Sequence, residues 1–423
     1  MSGETVSVLE LRLHDQLVGY VAGHSNGRNV FTLAPQYIAD PSRQPLTLSH
    51  KESEVLNRQV SKKYPFLTRQ RLHPVLSNLL PEGALRALVS QAMKVHPDNE
   101  FPLLGWLGGD LPGALKAVPV PVDEIPAYAL AHQGKVEPVR TDIAERRPWF
   151  SLAGVQMKFS MKAREDGRYM TGDPQEPGDW IVKTPSTLHA EVPLNEFTCM
   201  SLASLAGVDI PEIKLIAMAD IDSLPAINLP NEAWAYGIRR FDRSGDNVRI
   251  HAEDFAQVMF VYAHDKYNRA SYEQIARLLY RQSRHGQRDA VQMAVRLLVN
   301  ILLANGDAHL KNWSIIYPDG RDAQLSPAYD IVSTRPFIAG ESQFALNLGK
   351  TKEWYSVTLE HFERWAREAD IPWGPVRYNL RETLNRARTL WPSALASSPM
   401  AAAQQAVLRD HWRRLSTDFR IDG

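Results

Sequence analysis

At 423 residues, 44% hydrophobic and 23% charged, the chain has the composition of an ordinary globular protein with room for two or three domains. Forty-eight Lys and Arg balance 48 Asp and Glu, which excludes a global basic field for nucleic acid or anionic membrane and leaves only a local patch open. The lone Cys199 excludes an intramolecular disulfide or a Cys-rich zinc site, MSGETVSVLELRLHD has no secretory pattern, and no window nears the roughly 20 apolar residues that cross a bilayer. A reducing cytoplasm with no membrane role is expected.

In chain order, VSVLELRL and QLVGYVAG alternate in hydrophobicity and are split by His14-Asp15, which predicts a β-hairpin with one buried face. ALRALVSQAMKV has helical spacing. The Gly- and Pro-rich run LLGWLGGDLPGALKAVPVPV reads as turns, since its glycines lack the following Lys-Ser/Thr of a phosphate loop. Pro119 to Pro148 has the prolines and scattered charges of a crossing segment, with a domain boundary near Arg140 to Pro148. The expected division is a subdomain over 1–118, a connection over 119–147, a mixed lobe over 148–238 and a helical lobe over 239–423. SLAGVQMKFSM, Ser151 to Met161, precedes a charged hairpin KAREDGRYM, and its one glycine, Gly154, falls short of G-x-G-x-x-G.

GDWIVKTP predicts a strand carrying Lys183, and VPLNEFTCMSLASLAGV a helix that starts near Pro193 and closes at Gly207. A strand lysine followed by a helix glutamate is the ion-pair layout that positions nucleotide phosphates in protein kinases; Glu196 is the chosen partner and Glu191 the reserve. Cys199 reads as a small buried apolar residue. From HAEDFAQVMF to LRDHWRRLS the chain reads as one helical lobe. Within it Ala294, Leu297, Leu298, Ile301 and Leu302 form an apolar stripe that Gly306 should end.

LLANGDAHLKNWSIIY then sets Asn305, Asp307, His309, Lys311 and Asn312 between apolar flanks. WSIIY and AQLSPAYDIVS, joined by PDGRD, predict an antiparallel hairpin that brings Asn312 beside Asp330. Asp307 and Asn312 stand five apart, as do Asp and Asn in the kinase loop H-R-D-x-x-x-x-N. In that template the first Asp is the base, while the Asn and a later Asp hold Mg²⁺ at the nucleotide phosphates. The spacing alone also suits a loop in which Asn305 or Asp307 caps a turn. No second His lies at zinc-ligand distance from His309.

Together SLAGVQMKFS, WIVKTP, NEFTCM, IRRFDR, NGDAHLKN and YDIVS, with LLPEG and GDLPGAL upstream, resemble the HipA family of serine/threonine kinases, the toxin half of bacterial type II toxin–antitoxin systems. The resemblance implies an α+β, two-lobed protein-kinase-like fold, with a mixed N-terminal lobe, a helical C-terminal lobe and a small N-terminal β-containing subdomain. It implies ATP and Mg²⁺ as cofactors, Asp307 as the base, Asn312 and Asp330 as metal ligands, and Ser151 as the self-phosphorylated residue. It places Ala153, Gly154, Val155, Gln156, Met157 and Lys158 over ATP, with Lys183, His309, Lys311, Asn312, Tyr329 and Asp330 also contacting the nucleotide. Arg239, Arg240 and Phe241 would join the lobes beside the adenine. The implied partners are a HipB-like helix-turn-helix antitoxin, operator DNA through that complex, and an aminoacyl-tRNA synthetase substrate, most often the glutamyl enzyme. The implied location is the bacterial cytoplasm, at the nucleoid when bound to DNA.

DIV stands where ordinary protein kinases have D-F-G, so the Gly hinge and Phe switch do not carry over to Ile331 and Val332. A phosphate on Ser151 would add roughly −1.5 to −2 charges to a loop meant for ATP phosphates and should eject it. Arg377, Arg381, Arg386 and Arg388 lie along one predicted helix, RYNLRETLNRARTLW, as a candidate DNA-contacting face or an ordinary solvated one. Two alternatives stay open: a small-molecule phosphotransferase of the aminoglycoside or choline kinase kind, which would need an acidic acceptor pocket, and a pseudokinase subunit of a DNA-bound repressor complex.

Overall fold

The structure is a computed structural model that describes residues 5–63, 65–130, 141–142, 157–171, 178–222, 224, 228–245 and 248–422. The connecting segment from 131 onward, apart from 141–142, and the boundary expected at Arg140 to Pro148 lie outside the described residues.

The predicted hairpin forms between Val8–Leu13 and Gln16–Gly23, with Leu13 opposite Gln16 and His14 in the left-handed region at φ 52°. It sits in a five-stranded antiparallel sheet ordered Phe66–Arg69, Arg28–Leu33, Gln16–Gly23, Val8–Leu13, Leu115–Pro119. The last strand corrects the reading of the Gly/Pro-rich run as turns, as does the helix Glu100–Leu107, whose second half overlaps the start of that run. That helix buries Phe101, Leu103, Leu104 and Leu107 all round its axis, so it offers no polar face to betray its period. Gly108 follows because a Cβ there would stand 2.1 Å from the Ala117 carbonyl. Pro119 is tolerated because its strand is the sheet edge.

A second sheet of six strands runs Ile213–Ala217, Trp234–Arg239, Trp180–Lys183, Lys158–Ala163, Tyr169–Thr171, Ile221–Asp222, antiparallel except for the last pair. Lys183 lies directly opposite Lys158 on one side and Tyr236 on the other. Side chains of facing residues share a face of the sheet, so this register alone aims both lysines the same way. The helix Val192–Leu205 packs against this sheet.

The C-terminal lobe is built around Gly286–Leu302, whose stripe from Ala294 to Leu302 is buried as predicted. Tyr272–Gln282 and Trp373–Ala396 flank it. The predicted hairpin is present, with Ile315 opposite Leu325 and Ile316 opposite Gln324. Its other edge pairs with His251–Asp254, so HAEDFAQVMF opens as a strand rather than a helix. Asp254 then starts a single helical turn, Phe255–Val258, through a capping box with Gln257. The α+β, two-lobed arrangement with its N-terminal β subdomain is therefore present. No described helix is long and apolar enough to cross a membrane.

Candidate active site

Lys183 ends its strand 5% exposed, and Glu196 lies one turn into Val192–Leu205, 2% exposed. Lys183 Nζ is 2.5 Å from Glu196 Oε1 and also contacts Asp330 Oδ1. Lys158 Nζ reaches Asp330 Oδ2 at 3.6 Å. Burial would raise the Asp330 carboxyl, but the Lys158 and Lys183 ammonium groups hold it below the ordinary carboxylate range. Burial pushes Glu196 up, further than Lys183 pulls it down. Lys183 is held above the usual lysine value by the two carboxylates, against its own burial. Glu191, the reserve partner, instead caps the helix at φ 61°, with its N–H donating to the Glu232 carboxylate. Cys199 is fully buried and its thiol is pushed up to about 12 by burial.

The loop after Gly286–Leu302 is set by its backbone. Ala304, not Gly306, takes the left-handed turn, at φ 54°. Gly306 is required by close approach, because a Cβ there would lie 2.1 Å from Glu341 Oε1 and 3.1 Å from the Gln343 carbonyl. Asn305 donates to Asn300 Oδ1 at 2.7 Å and to the Asp330 carbonyl at 3.3 Å, while its Oδ1 accepts the Asp307 N–H at 3.0 Å. Asn312 donates through Nδ2 to the Asp307 carbonyl at 2.7 Å, which leaves Oδ1 as a hard oxygen donor. Asn312 and Asp330 border one small pocket, together with Asn300, Asn305 and Tyr329. Among the described residues no cluster of three or more His, Cys, Asp or Glu forms a metal cage. An amide oxygen and a carboxylate fit Mg²⁺, which commonly takes one or two protein ligands and completes its shell with phosphate and water.

The Asp307 side chain is 47% exposed, with Oδ1 accepting from the Tyr267 hydroxyl and His309 Nε2 3.8 Å away. Burial raises its pKa, against the hydrogen bond from Tyr267 and the charge of Lys266. His309 is buried and lowered to about 3, first by burial and then by Lys266, so its ring is neutral.

Not every predicted residue faces the cleft. Lys311 is buried against Glu82, 2.7 Å away, and donates to the Asn78 carbonyl at 3.1 Å. Tyr329 does border the pocket, donating to the Lys311 carbonyl at 2.8 Å with its ring 5.5 Å from Phe241. Arg239 points outward to Glu212 at 3.4 Å. Arg240 is 2% exposed, bonded to Asp242, Asp110 and Ser160. Its guanidinium ties the N-terminal subdomain to the lobes. Met157 is half-buried, and its carbonyl accepts the Thr184 N–H at 3.2 Å. Ser151, Ala153, Gly154, Val155 and Gln156 lie outside the described residues.

The four arginines of Trp373–Ala396 are all exposed but do not form one face. At about 100° per residue, Arg377, Arg381 and Arg388 cluster while Arg386 falls on the other side. Arg386 lies against Gly207, and Arg388 binds the Arg420 and Asp418 carbonyls at 2.9 and 3.1 Å. Three site residues escaped the sequence reading: Glu82, Lys266 and Tyr267. LLPEG was visible as a motif, yet nothing local marks Glu82 as the partner of Lys266, 184 positions away and 3.0 Å distant.

Residues 150–391 match the HipA-like C-terminal domain and residues 9–118 the HipA N-terminal domain. Y4dM of Sinorhizobium fredii, named as a candidate kinase, is 37% identical over 411 residues, 96% of each chain. The serine/threonine-protein kinase toxin HipA of Shewanella oneidensis is 25% identical over 316 residues, 66% of this chain and 67% of that one. The solved structure of Shewanella oneidensis HipA with HipB and operator DNA shares the fold at TM-score 0.69 and 20% identity, covering 95% of this chain and 94% of that one. With both domains matched in order and the fold common to nearly the whole length, the chain belongs to the HipA-like kinase family.

Proposed function

We propose that the protein is an ATP- and Mg²⁺-dependent serine/threonine protein kinase acting as the growth-arresting toxin of a toxin–antitoxin pair. One observation supports this above the others: Lys183, paired with Glu196, converges with Lys158 on Asp330, and Asn312 borders the same pocket. Bound Mg²⁺–ATP would supply the phosphoryl group and the divalent charge that offsets negative charge in the transition state. Lys183 and Lys158 present buried, pre-oriented cations to anionic phosphates, so little reorganisation is needed when charge arrives. Asn312, tied through its amide nitrogen, and Asp330 offer the oxygen donors. Asp307 keeps a half-exposed carboxylate within reach of an acceptor hydroxyl and takes its proton.

The finer reading follows the family. The acceptor is an aminoacyl-tRNA synthetase, the glutamyl enzyme first, and phosphorylation of Ser151 switches the kinase off. A HipB-like antitoxin inhibits it and carries it to operator DNA in the bacterial cytoplasm, a partnership supported by the Shewanella oneidensis HipA, HipB and operator DNA complex. Transfer of label from ATP to glutamyl-tRNA synthetase and to the chain itself tests this. Asp307→Asn should lower both by about a hundredfold or more, and equal labelling by both proteins would dismiss the assignment of the base.

A further inference from the structure

The carboxylate of Asp307 is held by a group that the chemistry above leaves idle. Tyr267 follows the short helix Ala263–Asp265, 40 positions before Asp307, and its hydroxyl donates to Asp307 Oδ1. Among the described residues this is the one hydrogen bond on that carboxylate; Oδ2 has none.

The turn that presents Tyr267 is fixed from several sides. Lys266 Nζ lies 3.0 Å from Glu82, and the Lys266 carbonyl accepts the Leu310 N–H of the catalytic loop at 3.4 Å. Lys352 Nζ approaches the Tyr267 carbonyl at 3.5 Å. The phenol ring stands edge-on to His309, with centroids 5.0 Å apart at 81°. The loop is braced at its backbone too, where the Ala308 carbonyl accepts from Tyr272 at 2.9 Å and Trp313 at 3.1 Å. What these contacts leave undetermined is the rotation of the Asp307 side chain, and Tyr267 supplies that restraint.

We propose that Tyr267 is a positioning residue: its hydroxyl fixes the Asp307 carboxylate through Oδ1 and leaves Oδ2 aimed to receive the proton of the acceptor hydroxyl. The proposal rests on Asp307 being the base. An ionised carboxylate has about four lone-pair sites, so one phenol orients it without filling it. The rival role for this phenol is a plug that stands where the acceptor should be. The two differ in sign, because removing a plug speeds transfer and removing a positioning group slows it.

The test is single-turnover self-labelling of the full chain with radiolabelled ATP, together with calorimetric titration of Mg²⁺–ATP. The proteins compared are wild type, Tyr267→Phe, Asp307→Asn and the double variant. Tyr267 is 37% exposed, so Phe keeps the ring in place and loses only the hydroxyl. Tyr267→Phe should slow the maximal rate on the order of ten- to a hundredfold, the value of a hydrogen bond to a charged group. Its half-saturating ATP and its calorimetric affinity should stay within about twofold of wild type. In the Asp307→Asn background the same change should have no further effect, since Tyr267 acts through Asp307. An unchanged or faster rate, an equal loss in both backgrounds, or a matching loss of ATP affinity would each overturn the proposal. Undiminished labelling by Asp307→Asn, or none by wild type, removes the kinase reading and this inference with it.

Discussion

Lys183 carries the electrostatics of the cleft because two carboxylates share it, Glu196 buried and Asp330 half-buried. Removing it as Lys183→Met leaves the buried Glu196 unpaired while Asp330 keeps Lys158, and breaking a buried pair in this way costs about 3–5 kcal/mol. Asp330→Asn is a different perturbation. The residue sits at φ 53°, a conformation that Asn tolerates well, and Lys183 keeps Glu196 as a partner. Both variants should lose label transfer, but Lys183→Met, which unpairs the fully buried Glu196, should lose several kcal/mol in denaturant unfolding, more than Asp330→Asn, which unpairs the longer contact to Lys158. If the two unfold alike, the shared-lysine account is wrong.

At the level of elements, the N-terminal subdomain reaches the loop that carries Asp307 through the Asn78 carbonyl and the Glu82 side chain. Glu82, which caps the helix Gly83–Ala92, lies 2.7 Å from Lys311 and 3.0 Å from Lys266. The two lysines lower its carboxyl to about 2, against its own burial. One is the residue before Asn312 and the other the residue before Tyr267, so Glu82 tethers both halves of the site. Glu82→Gln leaves two buried ammonium groups without a carboxylate, and transfer should fall by about tenfold or more. Glu82→Gln combined with Lys311→Met removes one of those charges and should recover part of the stability in thermal unfolding; an unaltered rate in Glu82→Gln would refute the tether. None of this was legible in the sequence, where LLPEG and DAHLKN stand far apart. Asp307, Asn312 and Asp330 were legible because they lie on one helix–loop–hairpin unit whose spacing fixes their approach. Lys183 and Glu196 were legible for the same local reason, a strand followed by a helix. Two of the misread stretches have remote partners: the edge strand Leu115–Pro119 pairs with Val8–Leu13, and His251–Asp254 pairs with Ser314–Tyr317. Arg240 was assigned through the family resemblance alone, and nothing local to IRRFDR marks Asp110, 130 positions away, as its partner.

Across the whole molecule, buried histidines at contacts between remote segments make the fold acid-sensitive. His251, on the C-terminal lobe sheet, meets the Leu46 carbonyl of the N-terminal subdomain at 3.0 Å and stacks on Tyr317. His50 packs its ring on Phe260 at 5.5 Å and contacts Gln59 at 3.0 Å. His411 ties the last helix, Ala402–Arg414, to the Ile301 carbonyl at 2.7 Å. Burial lowers all three to about 4, and His309 to about 3. Below pH 6.5 the unfolded chain takes up these protons and the folded one does not, so stability present above 6.5 is lost as pH falls toward 4. Glu253 and Asp254 act in the opposite sense. Burial raises them to about 7 and about 6, so the folded state binds their protons first and gains stability as pH falls through those values. Four histidines outnumber two carboxyls, so of these six groups the histidines set the sign, and the unfolding free energy should decline between pH 6.5 and 4. For one histidine lowered from 6.5 to about 4, the loss between pH 7 and pH 5 is about 2 kcal/mol. His411→Gln, which keeps a donor for the Ile301 carbonyl but cannot titrate, should flatten the pH dependence measured by denaturant unfolding by about that amount. An identical slope in the variant would mean that His411 is already protonated in the folded chain.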